Sequence, residues 1–121
     1  MGNDPRHELG SSAEDRAAAF LTTRGYEIEE RNFSCKLGEV DIVARKGDTL
    51  VFVEVRSRTN SGRVHPAATV TRRKQQQIVK TAMVYCQDHR ITDIMIRFDV
   101  VAVMEGGKKI ELIENAFEAG R

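Results

Sequence analysis

Residues 38–56 read Gly38-Glu39-Val40-Asp41-Ile42-Val43-Ala44-Arg45-Lys46-Gly47-Asp48-Thr49-Leu50-Val51-Phe52-Val53-Glu54-Val55-Arg56. Two valine-rich arms joined by Gly47-Asp48 are the pattern of an antiparallel hairpin. A two-residue turn there sets Lys46 opposite Thr49, and pairing continues outward one residue at a time. Asp41 then faces Glu54, and Glu39 faces Arg56. Because side chains reverse at each residue, Val40, Ile42, Ala44, Val51, Val53 and Val55 share one face, which must pack against apolar material. The opposite face has Val43, Leu50 and Phe52 near the turn and four charged residues at its far end.

Carboxylates directly opposed across strands lie about 5 Å apart. Two unit charges at that separation repel by roughly 3 kcal/mol at an effective dielectric near 20. Such a pair needs a shared proton, a cationic side chain or a bound metal ion. In one reading Asp41 and Glu54 hold Mg²⁺ or Mn²⁺, ions that take one or two carboxylates and keep several waters. In the other, Arg56 and Arg58 neutralise the acids in a salt-bridge network and no ion binds. A metal at that point polarises a phosphodiester oxygen and lowers the pKa of a bound water. Hydrolysis of a nucleic-acid backbone fits the first reading.

Working outward, 121 residues with 40% hydrophobic content suffice for one packed core. Residues 1–10 read as a flexible N-terminal tail and 11–121 as a single domain. There is no run of about 18 apolar residues and no apolar leader, so neither membrane nor export is indicated and a cytoplasmic location is expected. Cys35 and Cys86 are isolated thiols, expected as core residues. His7, His65 and His89 are scattered and give no histidine-built metal site. The net charge is only +1, yet its distribution is uneven. From Val55 to Gln87 there is no Asp or Glu, while Arg56, Arg58, Arg63, Arg72, Arg73, Lys74 and Lys80 all fall there. Such a block is the footprint of a phosphate-binding surface. A solvated helix face followed by a loop is the plainer account.

Ser11-Ser12-Ala13-Glu14 matches a capping box, and Ala13, Ala17, Phe20 and Leu21 follow on one stripe, with Gly25 as the stop. This predicts a helix over about 12–24. A strand follows over Tyr26–Asn32, and then the hairpin. Ser57–Val70 reads as an exposed, mobile loop. Thr69 or Thr71 caps a second helix to about Asp88. Ile78, Val79, Ala82, Met83, Tyr85 and Cys86 form its buried stripe, and Arg72, Arg73, Gln76 and Lys80 lie away from it. Ile94–Met104 is a strand, Gly106-Gly107 a turn and Lys109–Ile113 a short strand, with a frayed helix or coil to close. The order α-β-β-β-α-β-β predicts an α/β (α+β) fold, a mixed β-sheet flanked by helices.

The motifs GEVDIV and FVEVRSR, Lys74 at a helix start, and Arg97-Phe98-Asp99-Val100-Val101 together resemble the YraN-like family of uncharacterised bacterial proteins. That family is assigned to the PD-(D/E)xK nuclease superfamily and is similar in plan to the archaeal Holliday junction resolvases. The resemblance covers about residues 10–117. It implies a restriction-endonuclease-like sheet and Mg²⁺- or Mn²⁺-dependent hydrolysis of phosphodiester bonds in DNA, branched or damaged DNA among the substrates. It also implies metal ligation by Asp41, Glu54 and the main-chain carbonyl of Val55. Glu14 would complete the acidic site, directly or through a water, or serve only in its capping box. Glu39 reads as a partner for Arg56. Arg56 stands where the superfamily has lysine, and its fork of donors suits phosphate but makes it a poor general base. It can still stabilise a transition state electrostatically. Lys74 takes part of the lysine role or binds phosphate, and Arg58, Arg63, Arg72, Arg73 and Lys80 extend the nucleic-acid surface. A homodimer is implied only by analogy with the resolvases. The arginine leaves a second reading open, a nucleic-acid-binding module with the nuclease fold and weak or absent catalysis.

Overall fold

The computed structural model describes residues 12–58, 70–104 and 107–119. The elements are α1 (Ser12–Thr23), β1 (Glu27–Cys35), β2 (Gly38–Lys46), β3 (Thr49–Arg58), α2 (Arg72–Asp88), β4 (Met95–Met104) and β5 (Lys109–Phe117). Helix α1 ends at Gly25, whose φ of 90° is costly for a residue with a Cβ. There the Gly25 amide returns to the Thr22 carbonyl at 3.1 Å and the Tyr26 amide to that of Leu21 at 3.0 Å, closing the helix and turning the chain into β1. In the hairpin, Lys46 pairs with Thr49 and the register runs without slippage to Ile42 opposite Val53. Gly47 supplies the positive φ, 59°, at the first turn position, as a type II′ turn requires.

The five strands lie in sequence order, with β3 and β4 parallel and the other pairs antiparallel. A parallel pair needs a crossover, and α2 lies within it. Thr71 caps α2, its hydroxyl accepting from the Lys74 amide at 3.1 Å. On one face of the sheet Ala17 and Leu21 of α1 pack with Tyr26, Ile42, Ala44, Val51, Val53, Val101 and Val103. On the other, Ile78, Ala82, Tyr85 and Cys86 of α2 pack with Val43, Leu50, Phe52, Phe98, Val100 and Phe117. β3 and β4 are covered on both sides, which is why their apolar runs are nearly continuous. The buried acids among the described residues, Glu54 and Asp99, interrupt those two runs.

The predicted order and the mixed sheet flanked by helices are present, with corrections at element ends. β1 continues past Asn32 to Cys35. A bulge between Ile28 and Glu30 and a left-handed Asn32 (φ 58°) break its alternation, which masks the strand in the sequence. β5 continues to Phe117 instead of giving way to a helix or coil, because it pairs back to Phe98 of β4. On α2 Met83 is 44% exposed, whereas Thr81 is buried. Thr81 satisfies its hydroxyl on the Gln77 carbonyl at 2.8 Å, so it costs little inside. Val40 packs in the α2 cluster, not with Ile42. The expected tail, Ser11 of the capping box, most of the loop after Ser57, including Arg63, and the Arg58 side chain lie outside the described residues. Among those described, no helix is long and apolar enough to cross a membrane.

Candidate functional site

The hairpin register carries Asp41 and Glu54 to the same level, but the ladder stops one pair short of them, at Ile42 and Val53. Instead of pairing main chain to main chain, Asp41 places Oδ2 2.7 Å from the Val55 amide. Its carboxylate stands in for a main-chain acceptor of β2. The expected Glu39–Arg56 ladder pair is likewise absent from the register. Glu39 lies opposite Ser34 of β1, and the Arg56 guanidinium donates to Glu54 Oε2 at 3.3 Å. This correction follows from alternation failing where a side chain replaces a strand bond.

Glu54 is 5% exposed. Its burial, and next the neighbouring Asp41 charge, push its carboxyl up to about 7, against the pull of Lys74 and Arg56. Asp41 is raised above the ordinary carboxylate range, first by burial; the Val55 amide opposes this, and the charges of Glu14 and Glu39 add to it. The two carboxyls share a hydrogen bond. Arg56 relieves part of the repulsion expected from the sequence.

Glu14 sits in the first turn of α1, with Oε2 held by Arg31 Nε at 2.6 Å and Asn32 Nδ2 at 3.2 Å. Lys74 stands at the start of α2, close enough for its charge to act on Glu54. Asp41, Glu54, Arg56, Lys74 and Glu14 thus gather at one end of β2 and β3. Arg72, Arg73 and Lys80 are exposed on α2. Arg72 and Lys80 share a groove with Gln75, Gln76, Val79 and Glu118. The Glu14 clamp was not read from the sequence. Its signal is faint, an Asn in a strand whose alternation fails, Asn being the non-glycine type that best tolerates a left-handed backbone.

Among the described residues no three His, Cys, Asp or Glu side chains group tightly enough to cage a metal. The oxygen donors available are the Asp41 and Glu54 carboxylates and nearby main-chain carbonyls such as that of Val55. Two hard carboxylates suit Mg²⁺ or Mn²⁺, which keep several waters of their own, and they do not make a zinc or calcium cage.

Arg97 and Asp99 form a separate buried network. Asp99 is fully buried and accepts from Arg97 Nε at 2.9 Å, Tyr26 Oη at 2.9 Å and the Asn115 amide at 2.9 Å. Burial, and then the Asp99 charge, raise the Tyr26 hydroxyl above its usual range.

Comparison with known proteins gives concordant matches. A relative from Caldicellulosiruptor saccharolyticus, described as a UPF0102 protein, is 45% identical and aligns over 93% of this chain and 98% of its own. One from Geobacter sulfurreducens is 48% identical, covering 98% and 96%, and one from Myxococcus xanthus is 38% identical, covering 95% and 93%. The model of the uncharacterised protein family UPF0102 matches residues 13–103, a span that includes Glu14, Asp41, Glu54, Arg56 and Lys74. The chain belongs to the uncharacterised protein family UPF0102.

Proposed function

We propose that this protein is a divalent-metal-dependent nuclease of the PD-(D/E)xK type, hydrolysing phosphodiester bonds in DNA. The observation that carries this reading is the meeting of part-buried Asp41 with buried Glu54, whose carboxyl the Asp41 charge helps to raise, beside Lys74 and Arg56. Burying two neighbouring carboxyls raises both above the ordinary carboxylate range, a cost to the fold that is common at functional sites. Asp41, Glu54 and the Val55 carbonyl would hold Mg²⁺ or Mn²⁺. When bound, the ion supplies Lewis-acid polarisation of a phosphoryl oxygen and a more acidic water. Arg56, hydrogen-bonded to Glu54, presents a fixed positive charge to a phosphate and stabilises charge that develops on it. Lys74 binds phosphate as a compact ammonium. The exposed Arg72, Arg73 and Lys80 continue the positive surface along α2, where they would track the backbone.

The second reading, a nucleic-acid-binding module with weak or absent catalysis, is favoured by the bond from Arg56 to Glu54 Oε2, which occupies part of the acid pair. Labelled junction, flap and single-stranded DNA incubated with the protein in Mg²⁺ or Mn²⁺ separates the two. Cleavage that Asp41→Asn removes supports the nuclease. Salt-dependent binding without cleavage supports the module, with a salt slope that shrinks as Arg72, Arg73 or Lys74 is removed. Cleavage that survives Asp41→Asn unchanged rejects the assigned site.

A further inference from the structure

Glu14 is held in a way that regular secondary structure does not provide. In a strand, consecutive side chains point to opposite faces, yet Arg31 and Asn32 both reach the same oxygen of Glu14, at 2.6 and 3.2 Å. Asn32 makes this possible by adopting φ 58°, a left-handed conformation that Asn tolerates better than other non-glycine residues. Arg31 Nη2 extends the grip to Asp15 Oδ1 at 2.6 Å. Stability alone is a poor account of this arrangement. The Arg31–Asp15 bridge, at 35% and 55% exposure, contributes little, and the Arg31–Glu14 bridge, at 35% and 16%, is partly open to solvent on the arginine side.

The register supplies a better account. Arg31 lies opposite Ile42, the residue next to Asp41. The clamp therefore sits one strand away from the acid pair and draws the first turn of α1 toward it. Both donors fall on Oε2, which leaves Oε1 of Glu14 to accept from water. We propose that Arg31 and Asn32 are positioning residues that hold Glu14 as an outer carboxylate, accepting a hydrogen bond from water on an ion bound by Asp41 and Glu54. The inference rests on the metal-site reading above. Outer partners of this kind orient the inner ligands and water, and their loss lowers metal affinity by about 10- to 100-fold.

The test is calorimetric titration with Mn²⁺ alone, which needs no nucleic acid and no turnover. Arg31→Ala is a poor probe, because losing a positive charge raises cation affinity while losing the clamp lowers it. Asn32→Gly and Arg31→Lys avoid this: the first keeps the left-handed backbone and drops one donor, and the second keeps the charge and drops the fork. Each is expected to weaken Mn²⁺ binding several-fold, and Glu14→Gln by about tenfold. Adding either clamp change to Glu14→Gln should weaken it no further. Thermal melting is followed in parallel. Unchanged Mn²⁺ affinity in both clamp variants, with or without a lower melting temperature, overturns the inference, as do losses that simply add to that of Glu14→Gln. Wild-type affinity in Glu14→Gln also overturns it, while the Asp41–Glu54 site stands as long as Asp41→Asn abolishes binding. If the wild-type protein takes up no Mn²⁺, or Asp41→Asn binds as well as wild type, both readings fall.

Discussion

Glu54 is the residue at which folding and chemistry pull apart. Its carboxyl, held up to about 7 by burial and then by the Asp41 charge, ionises near pH 4.3 once the chain unfolds. The folded state binds this proton more tightly, so the contribution of Glu54 to stability is full below the unfolded value and is lost as pH rises through about 7. Glu54→Gln removes the charge while keeping an amide that donates to Asp41. It is expected to stabilise the metal-free protein by roughly 1–3 kcal/mol at pH 8 and to have little effect near pH 4; denaturant melts at the two pH values would show it. On the metal-site reading proposed above, Glu54 has to lose this proton to ligate, so Mn²⁺ affinity is expected to fall as pH drops through about 7.

At the scale of the element, the start of α2 carries the most exposed dependency. Thr71 accepts from the amide of Lys74, so the cap fixes the turn that presents Lys74 to Glu54. Thr71→Ala should cost about 1 kcal/mol in a chemical denaturation curve. The elements also show where sequence pattern is informative. The hairpin register was legible because a two-residue turn dictates each pair, and it held from Lys46–Thr49 to Ile42–Val53. It failed at Asp41, where the Oδ2 bond to Val55 substitutes for the ladder, a choice that no pairing rule contains. Met83, expected in the buried stripe of α2, is exposed, and Thr81, which has a carbonyl within reach, is buried. The second half of β5 was invisible locally, since only its pairing with β4 makes it a strand. Asp41 and Glu54 stood out because charge in a core strand is anomalous, whereas Arg31 and Asn32 look like ordinary surface residues.

Across the whole molecule, Asp99 joins parts distant in sequence. It ties Tyr26 at the α1–β1 corner, Arg97 on its own strand and Asn115 on β5, where a bulge between Phe98 and Val100 frees the Asn115 amide. Asp99→Ala removes the buried acceptor of the Arg97 guanidinium and the Asn115 amide and leaves the Tyr26 hydroxyl only its longer bond to Glu114 Oε2 at 3.3 Å. It should destabilise the protein by about 3–5 kcal/mol in denaturant melts, without altering the charges around Asp41. The strand order has a different kind of consequence. Among the described residues β1 and β5 are the outer strands, and their outward main-chain edges are flanked by exposed Glu27, Glu29, Arg31, Lys109, Glu111 and Glu114. Two copies meeting edge to edge would have to desolvate those charges, so among the described residues the sheet edges are poor templates for growth into ribbons or fibrils.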